Sequence, residues 1–211
     1  MTEQSQLTEK QIWGLRDEFF DRLGTSNARH QKRPFVIVIG GAPGSGKTTA
    51  ADKMSYLCGS FHVQANSARQ LLREHGLPWG KNIHLIIEEV IRKYLAEGWS
   101  IVLDGMMTKK EERQLVKKVA KEYEYGAPVF FNAVLCDPKI AEERARKRYA
   151  DGKVSTFDDW RCNPERFEGP NSYIESIGLR TRLIEAEMDK IPDSPQDRIW
   201  PIDNNGTERD L

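Results

Sequence analysis

Apolar residues along this chain switch between two spacings. Leu7, Ile12, Leu15, Phe19, Phe20 and Leu23 recur near 3.6 residues, which predicts an amphipathic helix over 7–23 with Thr8 placed to cap it. The stretch GTSNARHQKRP, 24–34, is polar and predicts a linker. FVIVIG, 35–40, is continuously apolar, the mark of a strand buried on both faces. A helix is expected over 46–58, a short strand at SFHVQA (60–65), a long helix over 81–97 ended by Gly98, and a third strand at WSIVLD (99–104). Thr108 and Glu111 make a capping box for a helix reaching about Tyr123. APVFFNAVLC (127–136) predicts a fourth strand, and Pro138 suits the first turn of a helix over 138–150. A polar, turn-rich stretch over 151–170, a helix over 171–190 and a last strand at RIWPID complete the reading. Strands alternating with helices predict a parallel sheet covered on both faces.

The first strand runs into GAPGSGKT: Gly41, Ala42, Pro43, Gly44, Ser45, Gly46, Lys47 and Thr48, followed by Thr49. This satisfies G-x-x-x-x-G-K-[ST], with a strand before it and a helix after it. Successive backbone N–H groups can point at one phosphate only where glycine permits the turn and no Cβ intrudes. The helix beginning near Gly46 adds its positive end. Lys47 is expected to reach the β- and γ-phosphates, the Thr48 hydroxyl to ligate Mg²⁺, and Thr49 to assist at the α-phosphate. The pattern therefore points to a nucleoside triphosphate, with Asp104 at the end of the third strand as the acid that holds Mg²⁺ beside Thr48. Arg144 and Arg148 lie four residues apart, on one helix face beside the polar stretch. They are candidates to close over a triphosphate, although solvated pairing with Glu142 and Glu143 competes with that role.

In the order GAPGSGKTT, ANSAR, VLDG and ERARKR, these motifs resemble small P-loop kinases, the branch with polynucleotide 5′-hydroxyl kinases, zeta-toxin-like kinases and small-molecule phosphotransferases. IWPIDNNGT resembles the last strand and turn of dephospho-coenzyme-A-kinase-like and nucleoside-monophosphate-kinase-like folds, where the turn lies by the adenine. The resemblance covers about 34–207. It implies a three-layer α/β/α sandwich on a five-stranded parallel sheet in the order 2-3-1-4-5, a small arginine-bearing lid and the cofactors ATP and Mg²⁺. The organisation expected is an N-terminal helix and linker, 1–33, then a kinase domain, 34–211, with the lid at about 144–170. In that family an Asp after the second strand, three residues before an Arg, is the general base. Here Arg69 is in place, but the Asp position is Asn66, which cannot take a proton at neutral pH. Either the missing base costs part of the rate, or the acceptor is itself a phosphate, or nucleotide is bound without transfer.

Charge and composition narrow the partners. Lys plus Arg and Asp plus Glu are equal at 32 each, which excludes a strongly basic nucleic-acid coat. Three scattered cysteines show no metal-ligand or paired spacing and fit a reducing compartment. The start lacks a signal-peptide pattern, and no apolar run approaches the roughly 18 residues of a membrane span, so a cytoplasmic protein is expected. His62 on a strand and His84 on a helix lack ligand spacing, FDDW (157–160) is as easily packing as acceptor contact, and RHQKR (29–33) reads as solvated linker. No N-K-x-D for guanine is present, and the length leaves little beyond a nucleotide domain, against a ring ATPase. The function expected is an ATP-dependent kinase acting on a hydroxyl of a small molecule or nucleic-acid end. A nucleotide kinase and a nucleotide-binding regulatory ATPase are the alternatives. No sequence feature points to a protein partner.

Overall fold

The computed structural model describes residues 7–23, 27–78, 81–105, 110–150 and 199–204. In chain order the elements are α1 (Glu9–Arg22), β1 (Val36–Gly41), α2 (Lys47–Cys58), β2 (Phe61–Gln64), α3 (Ala65–Glu74), α4 (Asn82–Ala96), β3 (Ile101–Asp104), α5 (Lys110–Glu122), β4 (Val129–Leu135), α6 (Pro138–Ala150) and β5 (Ile199–Asp203). The strands form one parallel sheet in the order β2-β3-β1-β4-β5, as expected. Between β2 and α4 the structure adds α3, which starts without a side-chain cap directly from the strand. The Thr108 cap, the 171–190 helix and the 151–170 stretch lie outside the described residues.

The period-2 alternation of the strands sorts their side chains into two layers. Val36, Val38, Phe61, Val63, Ile101, Leu103, Phe131 and Ala133 join the larger core beneath α1, α3, α4 and α5. Ile37, Ile39, Val102 and Val134 face the other way, onto Ala50 and Ala51 of α2. With both faces covered, β1 reads as an unbroken apolar run, while the edge strand β2 alternates as Phe-His-Val-Gln.

Thr8 caps α1 in a reciprocal box with Gln11, and the helix lays Leu15 and Phe19 into the larger core. Phe20 stacks on Tyr94 of α4 at 4.8 Å between ring centroids. Tyr94 also meets Phe61 of β2, so an aromatic cluster joins α1, α4 and the sheet edge.

The stretch expected to be solvated linker is hydrogen-bonded into the fold. The Arg29 amide donates to the Gly59 carbonyl and the Gln31 amide to the Gly98 carbonyl, both at 2.9 Å. Both glycines have left-handed backbones just beyond helix ends, where carbonyls lack helical partners. The polar linker satisfies them. Among the described residues, no helix is long and apolar enough to cross a membrane.

Candidate functional site

The loop between β1 and α2 crosses the carboxyl end of the sheet. Gly44 and Gly46 adopt φ of +82° and +87°, and Gly46 is the residue before the first turn of α2. A side chain at Gly44 would collide with the backbone carbonyl of Ala141 in α6. One at Gly41 would meet the Ser45 hydroxyl at 2.6 Å and the Val134 carbonyl at 2.8 Å. Glycine is needed at both places because other backbone lies against the loop, in addition to any phosphate it holds. Ala42 and Ser45 are buried within the turn. Lys47 lies back along the loop, its Nζ 3.5 Å from the Ala42 carbonyl. Thr49 follows in the first turn of α2.

Parallel register brings the second half of the site to the loop. Ile39 of β1 lies opposite Asp104 of β3, and Asp104 lies opposite Gln64 of β2. Asp104 shares the sheet face of Val102, the face that α2 covers. The Thr48 hydroxyl donates to Asp104 Oδ2 at 2.7 Å, linking residues 56 positions apart. Asp104 is 5% exposed, and its Oδ1 is buried without a hydrogen-bond partner. Burial pushes its carboxyl up, but His62, Lys47 and Thr48 outweigh that and hold it below the usual carboxylate value.

His62 was not expected here. Its Nδ1 sits 2.5 Å from Asp52 Oδ1 on α2, and its Nε2 lies 3.8 Å from Asp104 Oδ2. Burial pulls the ring pKa down, yet the two carboxylates win and raise it above 6.5. The available signal was parity: His62 and Gln64 share one face of β2, and that face is Asp104's. Beside them, a cleft of about 430 Å³ is lined by Arg22, Asp52, Tyr56, His62, Gln64 and Ser67, among other residues.

Asn66 and Arg69 occupy the first turns of α3, and Arg69 donates to the Asn66 side-chain oxygen. That oxygen is engaged, so the Asn66 NH₂ is left to donate. Arg144 leaves α6 toward the back of the loop, where its NH1 lies 3.3 Å from the Gly44 carbonyl and 3.4 Å from that of Asn204. Arg148 is on α6, but its side chain and most of the expected lid lie outside what is described. Asn204, just past β5, was missed as a site residue. It is buried and donates from Nδ2 to the Ser45 carbonyl at 2.6 Å, tying the last strand to the phosphate loop. Among the described residues, no group of three or more His, Cys, Asp or Glu side chains could hold a metal ion unaided.

A strand–glycine loop–helix with a carboxylate on the neighbouring strand, on a sheet in this order, defines a P-loop kinase-like protein. The chain belongs to the AAA domain family, which it matches over residues 36–166. It is 26% identical over 196 residues to 6-phosphofructo-2-kinase/fructose-2,6-bisphosphatase 1 of Rattus norvegicus, a match covering 80% of this chain and 39% of that protein. The chain thus spans about two fifths of the length of that relative. Among solved structures it is similar to one from the PezAT chromosomal toxin–antitoxin system of Streptococcus pneumoniae, with a TM-score of 0.62, 16% identity, and coverage of 94% of this chain and 79% of the other. It is also similar to a chain of the Pnkp1/Rnl/Hen1 RNA repair complex, with a TM-score of 0.55, 19% identity, and coverage of 80% and 49%. At these identities the two structures speak to the fold.

Proposed function

We propose that this chain is an ATP-dependent kinase that passes the γ-phosphoryl group to a hydroxyl of a small molecule or of a nucleic-acid end. The observation that carries the reading is the Thr48–Asp104 contact beside the loop, with Asp104 Oδ1 buried and unpartnered. A buried carboxylate oxygen without a donor is costly unless a cation or water completes it. A hydroxyl and a carboxylate are the hard oxygen donors that Mg²⁺ takes, so the residues fit Mg²⁺ held jointly with nucleotide phosphates. When bound, the ion supplies neutralisation of the charge on the phosphates.

The chain's own groups do the rest. The amides of Gly44, Gly46 and Lys47 and the N-terminus of α2 would receive the phosphates, while the Ser45 amide closes the turn on the Ala42 carbonyl at 3.1 Å. Lys47 swings from the Ala42 carbonyl to the β- and γ-phosphates. Arg69 and the Asn66 NH₂, at the end of β2, orient the acceptor. In this reading Arg144 and Arg148 of α6 meet charge on the transferring group, for which Arg144 would leave the Gly44 and Asn204 carbonyls. The cleft beside Gln64 and Ser67 offers room for a small polar acceptor. The rat relative, whose name includes a 6-phosphofructo-2-kinase, supports transfer to a hydroxyl.

One observation favours a second reading. With the Asn66 oxygen engaged by Arg69, no base faces the acceptor from α3, which suits an acceptor that is already a phosphate, as in a nucleotide kinase.

The test is transfer of labelled γ-phosphate from ATP–Mg²⁺ into cell metabolites, nucleoside monophosphates and 5′-hydroxyl oligonucleotides, with Lys47→Ala as the blank. A labelled product absent from the blank is expected, and its identity names the acceptor. Binding of ATP with no labelled product would overturn the kinase reading in favour of a nucleotide-binding regulator.

A further inference from the structure

The mechanism above gives His62 no task, yet two carboxylates face its ring. Asp52 holds Nδ1 at 2.5 Å from α2, and Asp104 Oδ2 stands 3.8 Å from Nε2. The ring is 12% exposed, whereas Asp52 is 64% exposed at the rim. The Nε2 atom is buried and has no hydrogen-bond partner. At 3.8 Å the approach to Asp104 is an ion-pair distance, too long for a hydrogen bond. An ordinary packing histidine would leave neither nitrogen aimed at the acid of the phosphate site.

The two oxygens of Asp104 are not equivalent. The Thr48 hydroxyl and the His62 ring both lie on the Oδ2 side, while Oδ1 has no partner. A carboxylate beyond Cβ turns about χ2, a broad two-fold torsion that does not by itself choose which oxygen faces a ligand. We propose that His62, clamped by Asp52, is a positioning residue that holds the Oδ2 edge of Asp104 and so presents Oδ1 to the divalent cation accompanying a bound nucleotide. The inference rests on the reading of Thr48 and Asp104 as the metal end of the site. Groups that orient a metal-binding carboxylate from behind are typically worth about 10–100-fold in metal affinity.

The experiment is calorimetric titration of the full chain with ADP, once with Mg²⁺ and once with EDTA. The ratio of the two affinities isolates the metal-linked part. The wild type is expected to bind ADP more tightly with Mg²⁺. In His62→Ala this ratio is expected to fall about tenfold, while ADP affinity in EDTA, which reports the loop alone, stays within about twofold. His62→Gln, which restores a donor facing Asp104, should recover part of the ratio. Asp52→Ala, at a side chain 64% exposed, should lower the ratio in the same direction by releasing the ring. An unchanged ratio in His62→Ala and Asp52→Ala overturns the proposal. So does an equal loss of affinity with and without Mg²⁺, which would mark a merely structural role. A wild-type ratio of one would overturn the metal reading and this inference together. A normal wild-type ratio with indifferent variants would sink the inference alone and leave the kinase reading standing.

Discussion

Gly44 carries two demands at one position: a left-handed backbone and an open side toward the Ala141 carbonyl. Gly44→Ala is expected to cost about 1–3 kcal/mol of stability and to weaken ADP binding, because α6 or the loop must shift. Urea midpoints and ADP titration check both. The sequence pattern asked for glycine here on phosphate grounds, and only the fold shows that α6 asks for it too. At the same scale, the Asn66 and Arg69 pair was legible as a departure from a motif, but not that Arg69 would engage the Asn66 oxygen. His62 was not legible as a site neighbour. Its partners come from α2 and β3, 10 residues before it and 42 after it in the chain, and no local spacing relates them. Arg144 was read as a group for the triphosphate, and the structure places it against the Gly44 and Asn204 carbonyls.

At the scale of elements, strands and long helices followed from their apolar runs, while the short α3 was given no range of its own. Its ten residues begin directly after Gln64 with no capping side chain, although Ala65, Ala68, Leu71 and Leu72 recur at helical spacing and are the residues it buries. Contacts between elements were invisible. Arg92 of α4 reaches Glu122 of α5 at 2.7 Å and also pairs with Glu88 and Glu89 on its own helix. The Arg92 hydrogen bond holds the Glu122 carboxyl below its ordinary 4.5. A depressed folded value means that the contribution is present above 4.5 and is lost as pH falls through the folded value. Arg92→Met is therefore expected to flatten the acid limb of a plot of urea midpoint against pH below about 4.5. The Glu122 side chain is 41% exposed and screened by solvent, so the effect is expected not to exceed about 1 kcal/mol.

At the scale of the whole molecule, the phosphate loop is closed from behind by a residue 159 positions away. Asn204 donates to the Ser45 carbonyl and its own amide reaches Leu135, so β4, β5 and the loop meet at one buried side chain. Asn204→Ala removes a buried donor and is expected to cost about 1–3 kcal/mol, with weaker ADP binding, measured by urea unfolding and titration. By itself the sequence determined what depends on neighbours along the chain. Continuous apolar runs and period-3.6 spacing named the strands and helices, and the glycines with Lys47 and Thr48 named a phosphate loop, because backbone freedom and helix polarity are local properties. The sheet order came from the resemblance those motifs carry. The sequence also named Asp104 as the acid beside Thr48, and tertiary structure alone decided what else stands around them. His62 and Asp52 come to Asp104, and Asn204 separately to the Ser45 carbonyl, through strand register and helix packing, and register joins residues by hydrogen bonds across strands, regardless of their separation in sequence.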